Sequence, residues 1–224
     1  MSSGSSSSSS STGSEPPPRR VFHLGWLIAF LAVTTLIAFA YQSLRTIRPE
    51  PIPDHLQPIS KVPDFQLTAQ DGSIVSPASL RGKIWVANFI FTRCQGPCPV
   101  MTSRMAELNK KLRKTDVVLV SFSVDPDYDQ PAVLAEYGAK VAADPARWKF
   151  LTGPKDEMET LIVKGLLQPL AKDPDGMPAH STRFVLVDRE GSLRGFQDGN
   201  DPEVVQKILM DIGDLLRESP LATK

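Results

Sequence analysis

The sequence predicts an α/β domain that is carried by one N-terminal transmembrane helix. Residues 84–91 form a nearly continuous run of β-branched, aromatic and other apolar side chains, which is typical of a strand buried on both faces. Apolar residues recur at helical spacing over 100–114, and a second buried strand follows at 117–122. This strand–helix–strand order predicts parallel strands in a central sheet. The transmembrane helix is predicted for residues 21–41.

The predicted transmembrane helix contains no formally charged side chain in its 21 positions. At ~1.5 Å per residue, this length spans a bilayer core of ~30 Å. The alternative is a cleaved signal peptide, because Ala38-Phe39-Ala40 has the pattern of a cleavage site. The apolar segment would then be longer than the usual ~7–15 residues, so we predict an uncleaved anchor.

The remainder of the chain divides into three predicted segments. Residues 1–20 are rich in serine and proline and are predicted to be a disordered tail. Residues 42–58 form a proline-rich, semi-rigid linker, in which His55 is expected to be solvated. Residues 59–224 form the folded domain. Two arginines flank each end of the transmembrane helix, so charge alone leaves its orientation open.

Composition excludes several classes of protein. The chain has 25 Lys and Arg against 25 Asp and Glu, and this balance argues against a nucleic-acid binder. Hydrophobic residues make up 41%, which is typical of a globular protein. Cys94 and Cys98 are the two cysteines of the chain. Two cysteines are too few for a disulfide-stabilised miniprotein or a four-cysteine zinc site.

The further elements follow from the same patterns. They are a hairpin over 65–75 with an Asp71-Gly72 turn, helices over 131–142, 155–164 and 202–218, a strand over 148–152 and a hairpin over 183–196. A dithiol that directly follows the first buried strand, at the start of a helix, is the thioredoxin-like arrangement. The predicted fold class is therefore α/β and thioredoxin-like.

The spacing of Cys94 and Cys98 favours a soft metal ion. At positions i and i+4 of a regular helix the Cβ atoms are ~5–6 Å apart, more than the ~3.5–4.5 Å of a disulfide. Pro97 and Pro99 disfavour helix before Cys98, so we expect Cys94 on the loop and Cys98 at an exposed helix start that favours its thiolate. Two such thiolates suit Cu(I). The alternative, an inert core pair, is disfavoured by this exposed placement.

A third ligand for such an ion is expected to be a histidine. Of the three histidines, His23 lies in the transmembrane helix and His55 in the linker. His180 ends a flexible stretch, residues 173–179, and directly precedes the strand that begins near Arg183. In a thioredoxin-like sheet, the loop before that strand lies beside the dithiol. We therefore expect His180 on this loop to complete the site.

Asp125 and Asp129 follow the second buried strand, at the sheet edge where sites form. Asp129 is predicted to cap the helix that starts near Pro131. For Asp125 two roles stay open, a turn residue or a group that orients the site or contacts a partner. A catalytic acid–base pair is not supported, because no substrate-binding motif accompanies the two aspartates.

Three stretches of the sequence carry a resemblance to a known family. They are FIFTRCQGPCPVM (residues 89–101), SFSVDPDYDQP (residues 121–131) and AHSTRFVLVDREG (residues 179–191). At these positions the chain resembles the Sco/SenC family of membrane-anchored copper-binding proteins, over residues 62–216. The resemblance implies a thioredoxin-like fold.

The resemblance also implies a site and a task. Copper, as Cu(I) or Cu(II), is expected to bind to Cys94, Cys98 and His180. The family's usual task is to deliver copper to, or prepare the thiols of, the binuclear copper centre of cytochrome c oxidase. The implied partner is a copper-accepting oxidase subunit. The implied location is an inner membrane, with residues 59–224 on the periplasmic or an equivalent side.

Two alternatives to a copper chaperone stay open. The first is a membrane-anchored thiol-disulfide oxidoreductase that uses Cys94 and Cys98. The second is a peroxidase, which is supported only weakly, by Thr92-Arg93 directly before Cys94. The chaperone, which is not an enzyme, is the preferred interpretation.

Overall fold

The structure is a computed structural model that describes residues 21–45, 53–94, 96, 98–172 and 178–218. Side chains are described for residues 25–42, 53–94, 96, 98–171 and 181–218. The predicted disorder of residues 1–20 lies outside the described residues. The chain forms two compact units, residues 1–48 and 49–224, which are described separately below.

Helix α1 of the first unit spans Val21–Arg45. Its window Gly25–Gln42 has a mean hydropathy of 1.7, and α1 is the one helix among the described residues that is long and apolar enough to cross a membrane. The hydroxyl groups of Thr34 and Thr35 donate to backbone carbonyl oxygens three and four residues earlier. These bonds satisfy the polar groups of an apolar helix from within.

The second unit is built on an eight-stranded sheet with the strand order β1-β10-β9-β4-β5-β6-β2-β3. Its strands are β1 (Ser60–Lys61), β2 (Leu67–Ala69), β3 (Ile74–Val75), β4 (Trp85–Ile90), β5 (Val118–Ser123), β6 (Trp148–Thr152), β9 (Arg183–Val187) and β10 (Ser192–Asp198). Strands β4, β5 and β6 are parallel, and the other pairs are antiparallel. The predicted parallel centre and late hairpin are confirmed.

Helices cover both faces of the sheet. They are α2 (Pro77–Leu80), α3 (Cys98–Lys111), α4 (Pro131–Lys140), α5 (Lys155–Thr160), which continues as a π-helical turn over Leu161–Gly165, and α6 (Val204–Arg217). One core contains buried residues of α3, α4 and α6, and the other contains buried residues of α2, α5 and the π-helical turn. The first turn of α3 is thereby held against the sheet at the carboxyl end of β4.

The end of the predicted linker packs on the domain. Asp54–Leu56 forms a short 3-10 helix, and the Leu56 side chain is fully buried in the core. Its carbonyl oxygen accepts a 2.6 Å hydrogen bond from Nε of Arg194. His55, expected to be merely solvated, keeps 60% of its side chain exposed but has Nε2 3.0 Å from Oδ1 of the buried Asp211. The expectation that His55 is merely solvated is corrected, because the buried side chain of Leu56, the next residue, fixes this segment to the domain.

The segment that leads to His180 is partly regular. Strands β7 (Leu170–Lys172) and β8 (Pro178–His180) pair antiparallel in a small second sheet, with His180 opposite Leu170. The expectation that His180 lies on a loop is therefore wrong, because backbone pairing with β7 orders its end of the segment. The predicted flexibility of residues 173–177 lies outside the described residues.

Candidate metal centre

Cys94 and Cys98 come together where β4 passes into α3. A turn in which the N–H of Cys94 donates to the Phe91 carbonyl oxygen, at 3.1 Å, follows the strand. Cys98 is the first residue of α3, as predicted. Both residues are thiols, and their side chains are hydrogen-bonded to each other. Two adjacent sulfur atoms therefore lie beyond the carboxyl end of β4.

The two thiols differ in access to solvent. Cys94 is partly exposed, whereas Cys98 is 1% exposed. The expectation of an exposed Cys98 thiolate is wrong: burial, followed by the hydrogen bond with Cys94, raises the pKa of Cys98, and backbone hydrogen bonds at Phe91 and Cys98 only partly oppose this rise. A helix N-terminus is worth about 0.3–2 kcal/mol, whereas full burial moves a pKa by up to about 3–5, each unit being ~1.36 kcal/mol. Desolvation therefore outweighs the helix dipole.

The residue before Arg93 is fixed by a buried carboxylate. Asp129 is fully buried and accepts hydrogen bonds from the Thr92 N–H (3.2 Å to each oxygen), the Thr92 hydroxyl (2.5 Å) and the Ser123 hydroxyl (2.7 Å). Burial raises the pKa of Asp129, while these donors act to lower it. The predicted helix cap is wrong, because Gln130 stands at the N-cap of α4 and the carboxylate turns inward. Asp129 instead links Thr92, two residues before Cys94, to Ser123 at the end of β5.

Asp125 binds the residue next to Cys94. Its Oδ2 lies 2.6 Å from Nη2 of Arg93, whose guanidinium stands 4.1 Å from the ring centroid of Tyr128. The Asp125 carbonyl oxygen also accepts hydrogen bonds from the N–H groups of Tyr128 (3.1 Å) and Asp129 (2.9 Å), so Asp125 is a turn residue as well as a partner of Arg93, and both predicted roles stay open. The contacts of Thr92 and Arg93 with the aspartates explain both residues structurally, so the peroxidase alternative loses its support.

A polar pair lies one turn along α3 from Cys98. The hydroxyl oxygens of Thr102 and Tyr137 are 2.8 Å apart, and Thr102 is buried. Burial raises the pKa of Tyr137, and the nearby Cys98 and Cys94 act in the same direction. The tyrosine therefore belongs to the surroundings of the dithiol, a role that nothing in its sequence position indicates.

The backbone of His180 ends β8, and its side chain lies outside the described ones. Two residues later, the Thr182 carbonyl oxygen accepts a 3.0 Å hydrogen bond from the Gly199 N–H. Gly199 in turn packs against Met101, which lies in the first turn of α3. Among the described side chains no group of three or more His, Cys, Asp or Glu could hold a metal ion. The described part of the site is thus a dithiol with the histidine segment packed nearby.

The donor set fits a soft cation. Two thiols that already contact each other would become two thiolates when a metal displaces their protons, and paired sulfur ligands select Cu(I) over hard cations.

Residues 53–216 match the family model that is described as SCO1/SenC. The chain belongs to the SCO1/SenC family. The match starts at the residue before the 3-10 helix that packs on the domain, earlier than the resemblance over residues 62–216 indicates.

Relatives of this SCO1/SenC protein agree in sequence and fold. A SCO1 protein homolog from Bacillus subtilis (strain 168) is 36% identical over 157 residues, which are 68% of this chain and 81% of the relative. The structure of BsSco, a member of the Sco family of cytochrome c oxidase assembly proteins with a disulfide switch, is 35% identical, with a TM-score of 0.66 over 74% of this chain and 98% of BsSco. Yeast Sco1 with copper bound is 26% identical, with a TM-score of 0.60 over 73% and 92% of the two chains. The predicted thioredoxin-like fold is confirmed.

Proposed function

We propose that this SCO1/SenC protein is a membrane-anchored copper chaperone. It binds one copper ion through Cys94, Cys98 and His180, and it delivers that ion to, or prepares the thiols of, the binuclear copper centre of cytochrome c oxidase. The observation that carries the proposal is the contact between the two thiols at the β4–α3 junction. Copper in yeast Sco1 and the oxidase-assembly role of the Sco family support the same assignment.

The difference in exposure gives copper transfer a direction. Each thiol loses its proton as its sulfur binds copper. Cys98, the first residue of α3, is buried, so an incoming ligand would reach the ion from the side of the partly exposed Cys94. We therefore expect an acceptor to replace Cys94 first and Cys98 last. The buried sulfur keeps the ion bound until the acceptor has engaged it.

The assignment of His180 as third ligand is supported by the packing around Gly199. Thr182, two residues after His180, and Met101, three residues after Cys98, both contact this glycine. The backbone that carries the histidine therefore runs close to the first turn of the dithiol helix. Two thiolates and one imidazole make a three-coordinate site for a single Cu(I) ion.

A copper titration of the reduced protein tests the proposal. The parent should bind one copper per chain, and Cys94→Ser combined with Cys98→Ser should abolish binding. His180→Ala should bind clearly less tightly, because one of three ligands is lost. Asp127→Ala is a matched surface control, since Asp127 is 75% exposed. Parent-like affinity in His180→Ala would remove the histidine from the site, and copper binding by the double serine variant would overturn the dithiol.

The second candidate function is thiol-disulfide exchange, which the unequal exposure of the two thiols also favours. Cys94 would attack a partner disulfide and form a mixed disulfide, releasing one partner thiolate. Cys98 would then attack the sulfur of Cys94 and release the second partner thiol. The partner gains two electrons, and this chain is left with a Cys94–Cys98 disulfide. The exchange needs both cysteines and no imidazole.

A further inference from the structure

The turn that follows β10 contacts both Thr182, two residues after His180, and Met101 of the helix that begins at Cys98. Beyond the hydrogen bond from Gly199 to the Thr182 carbonyl oxygen, Nδ2 of Asn200 donates to the Thr182 hydroxyl oxygen at 3.0 Å. Two bonds thus hold the backbone two residues beyond His180. Because Asn200 is exposed, its side chain is not part of the core, and its hydrogen bond serves to hold Thr182 in place.

On its other side the same turn faces the dithiol helix. A Cβ atom on Gly199 would lie 2.6 Å from Cε of Met101 and still closer to Met101 Sδ and the Thr182 carbonyl oxygen. Met101 is 1% exposed and cannot swing into solvent without leaving the core. Gly199 has no positive φ angle, so a glycine is needed here for space and not for backbone conformation.

We infer that Gly199 is a positioning residue of the copper site, which lets the His180 segment approach α3 closely enough for the imidazole and both sulfurs to share one ion. The inference rests on the proposed function and deepens it. Carbon atoms in contact prefer ~3.5–4.0 Å, so an added methyl group would push Thr182 and Met101 apart by roughly 1 Å. Ligand sites tolerate displacements of only about 0.5 Å.

The test is the Gly199→Ala variant of the detergent-solubilised full-length chain. We expect its copper affinity to fall by about 10–100-fold, the usual effect of disturbing the groups that orient a ligand. The nitrogen hyperfine signal of the Cu(II) complex should weaken, as we also expect in His180→Ala, because the imidazole no longer reaches the ion. The matched control is Gly195→Ala in β10, where an added Cβ would meet Leu56 Cδ2 at 3.5 Å, an ordinary contact. This control should bind copper like the parent.

A double-mutant cycle separates positioning from simple destabilisation. In the His180→Ala background, Gly199→Ala should cause no further loss of copper affinity, because the ligand through which it acts is already gone. A further loss equal to that in the parent background would overturn the inference, as would parent-like affinity and hyperfine signal in Gly199→Ala. If Gly199→Ala does not fold, Asn200→Ala carries the test, since it removes one of the two hydrogen bonds that hold Thr182 without adding volume. Unchanged copper affinity in Asn200→Ala would then overturn the inference.

These outcomes are distinct from a failure of the proposed function. That failure would appear as unchanged copper affinity in His180→Ala or in the cysteine variants, whatever the result with Gly199→Ala.

Discussion

At the scale of single residues, Asp129 shows how a buried carboxylate positions a reactive loop. It is the acceptor for the N–H and hydroxyl of Thr92 and for the hydroxyl of Ser123. These donors offset the cost of burying a charge, although burial still raises the pKa of Asp129. The carboxylate therefore links the chain two residues before Cys94 to β5 and limits how far that thiol moves.

Replacing Asp129 by alanine should lower the free energy of unfolding by about 1–3 kcal/mol, because the Thr92 N–H and Ser123 hydroxyl lose their acceptor. It should also weaken copper binding, since the loop before Cys94 is released. The exposed Asp127, paired with Lys155, is the control, and Asp127→Ala should change stability by less than about 0.5 kcal/mol. Denaturant unfolding measures both variants. Equal stability of Asp129→Ala and the parent would contradict the role of the carboxylate.

The same residue predicts a pH dependence. The folded-state pKa of Asp129 is raised above its ordinary value of 3.8, so the folded state holds this proton more tightly than the unfolded chain. The stabilisation that this gives is present below pH 3.8 and is lost as pH rises through the folded pKa. Relative to Asp129→Asn, the parent should therefore lose stability as pH rises from about 3.8. A difference between the two proteins that does not change with pH would contradict the raised pKa.

Residue roles were predictable where chain position alone decides them. Cys98 at the start of α3 follows from Pro97 and Pro99, and the prediction is confirmed. The burial of Cys98, the inward turn of Asp129 and the need for glycine at position 199 depend on segments distant in sequence. One sequence contains no signal for such contacts, because they arise only when α3, β5 and β10 pack together.

At the scale of elements, the length and burial of a strand decided whether its sequence pattern predicted it. Strands β4 and β5 are six residues long and buried throughout, and their apolar runs predicted them correctly. Strands β1, β7 and β8 have two or three residues and no alternation that a pattern could detect. Their pairing depends on partners across the sheet.

The short 3-10 helix at Leu56 provides a test at this scale. Leu56 is fully buried, so Leu56→Ala should lower the free energy of unfolding by about 2–5 kcal/mol. Ile59→Ala is the control three residues later; its side chain is 50% exposed and should cost less than about 1 kcal/mol. Chemical denaturation of both variants measures the two changes in the free energy of unfolding. Equal effects would show that the segment before β1 does not anchor the domain.

At the scale of the whole molecule, one apolar helix and one SCO1/SenC domain are joined by a short proline-rich segment. As a membrane anchor, which we propose for it, α1 would restrict the protein to a membrane surface, and the proposed acceptor requires the domain on the outer side of an inner membrane. We therefore expect the serine-rich tail inside and the domain outside. A reporter enzyme fused at Lys224 that is active in the periplasm should give signal. Activity of a reporter that works only in the cytoplasm would contradict this topology.

Oxidase activity in cells that carry His180→Ala, compared with Cys98→Ser at matched protein level and limiting copper, tests copper delivery most directly. A chaperone needs all three ligands, whereas disulfide exchange needs the thiols alone. We predict that both variants lose oxidase activity and that added copper partly restores it in His180→Ala. Normal activity with His180→Ala and none with Cys98→Ser would contradict copper delivery and favour thiol reduction.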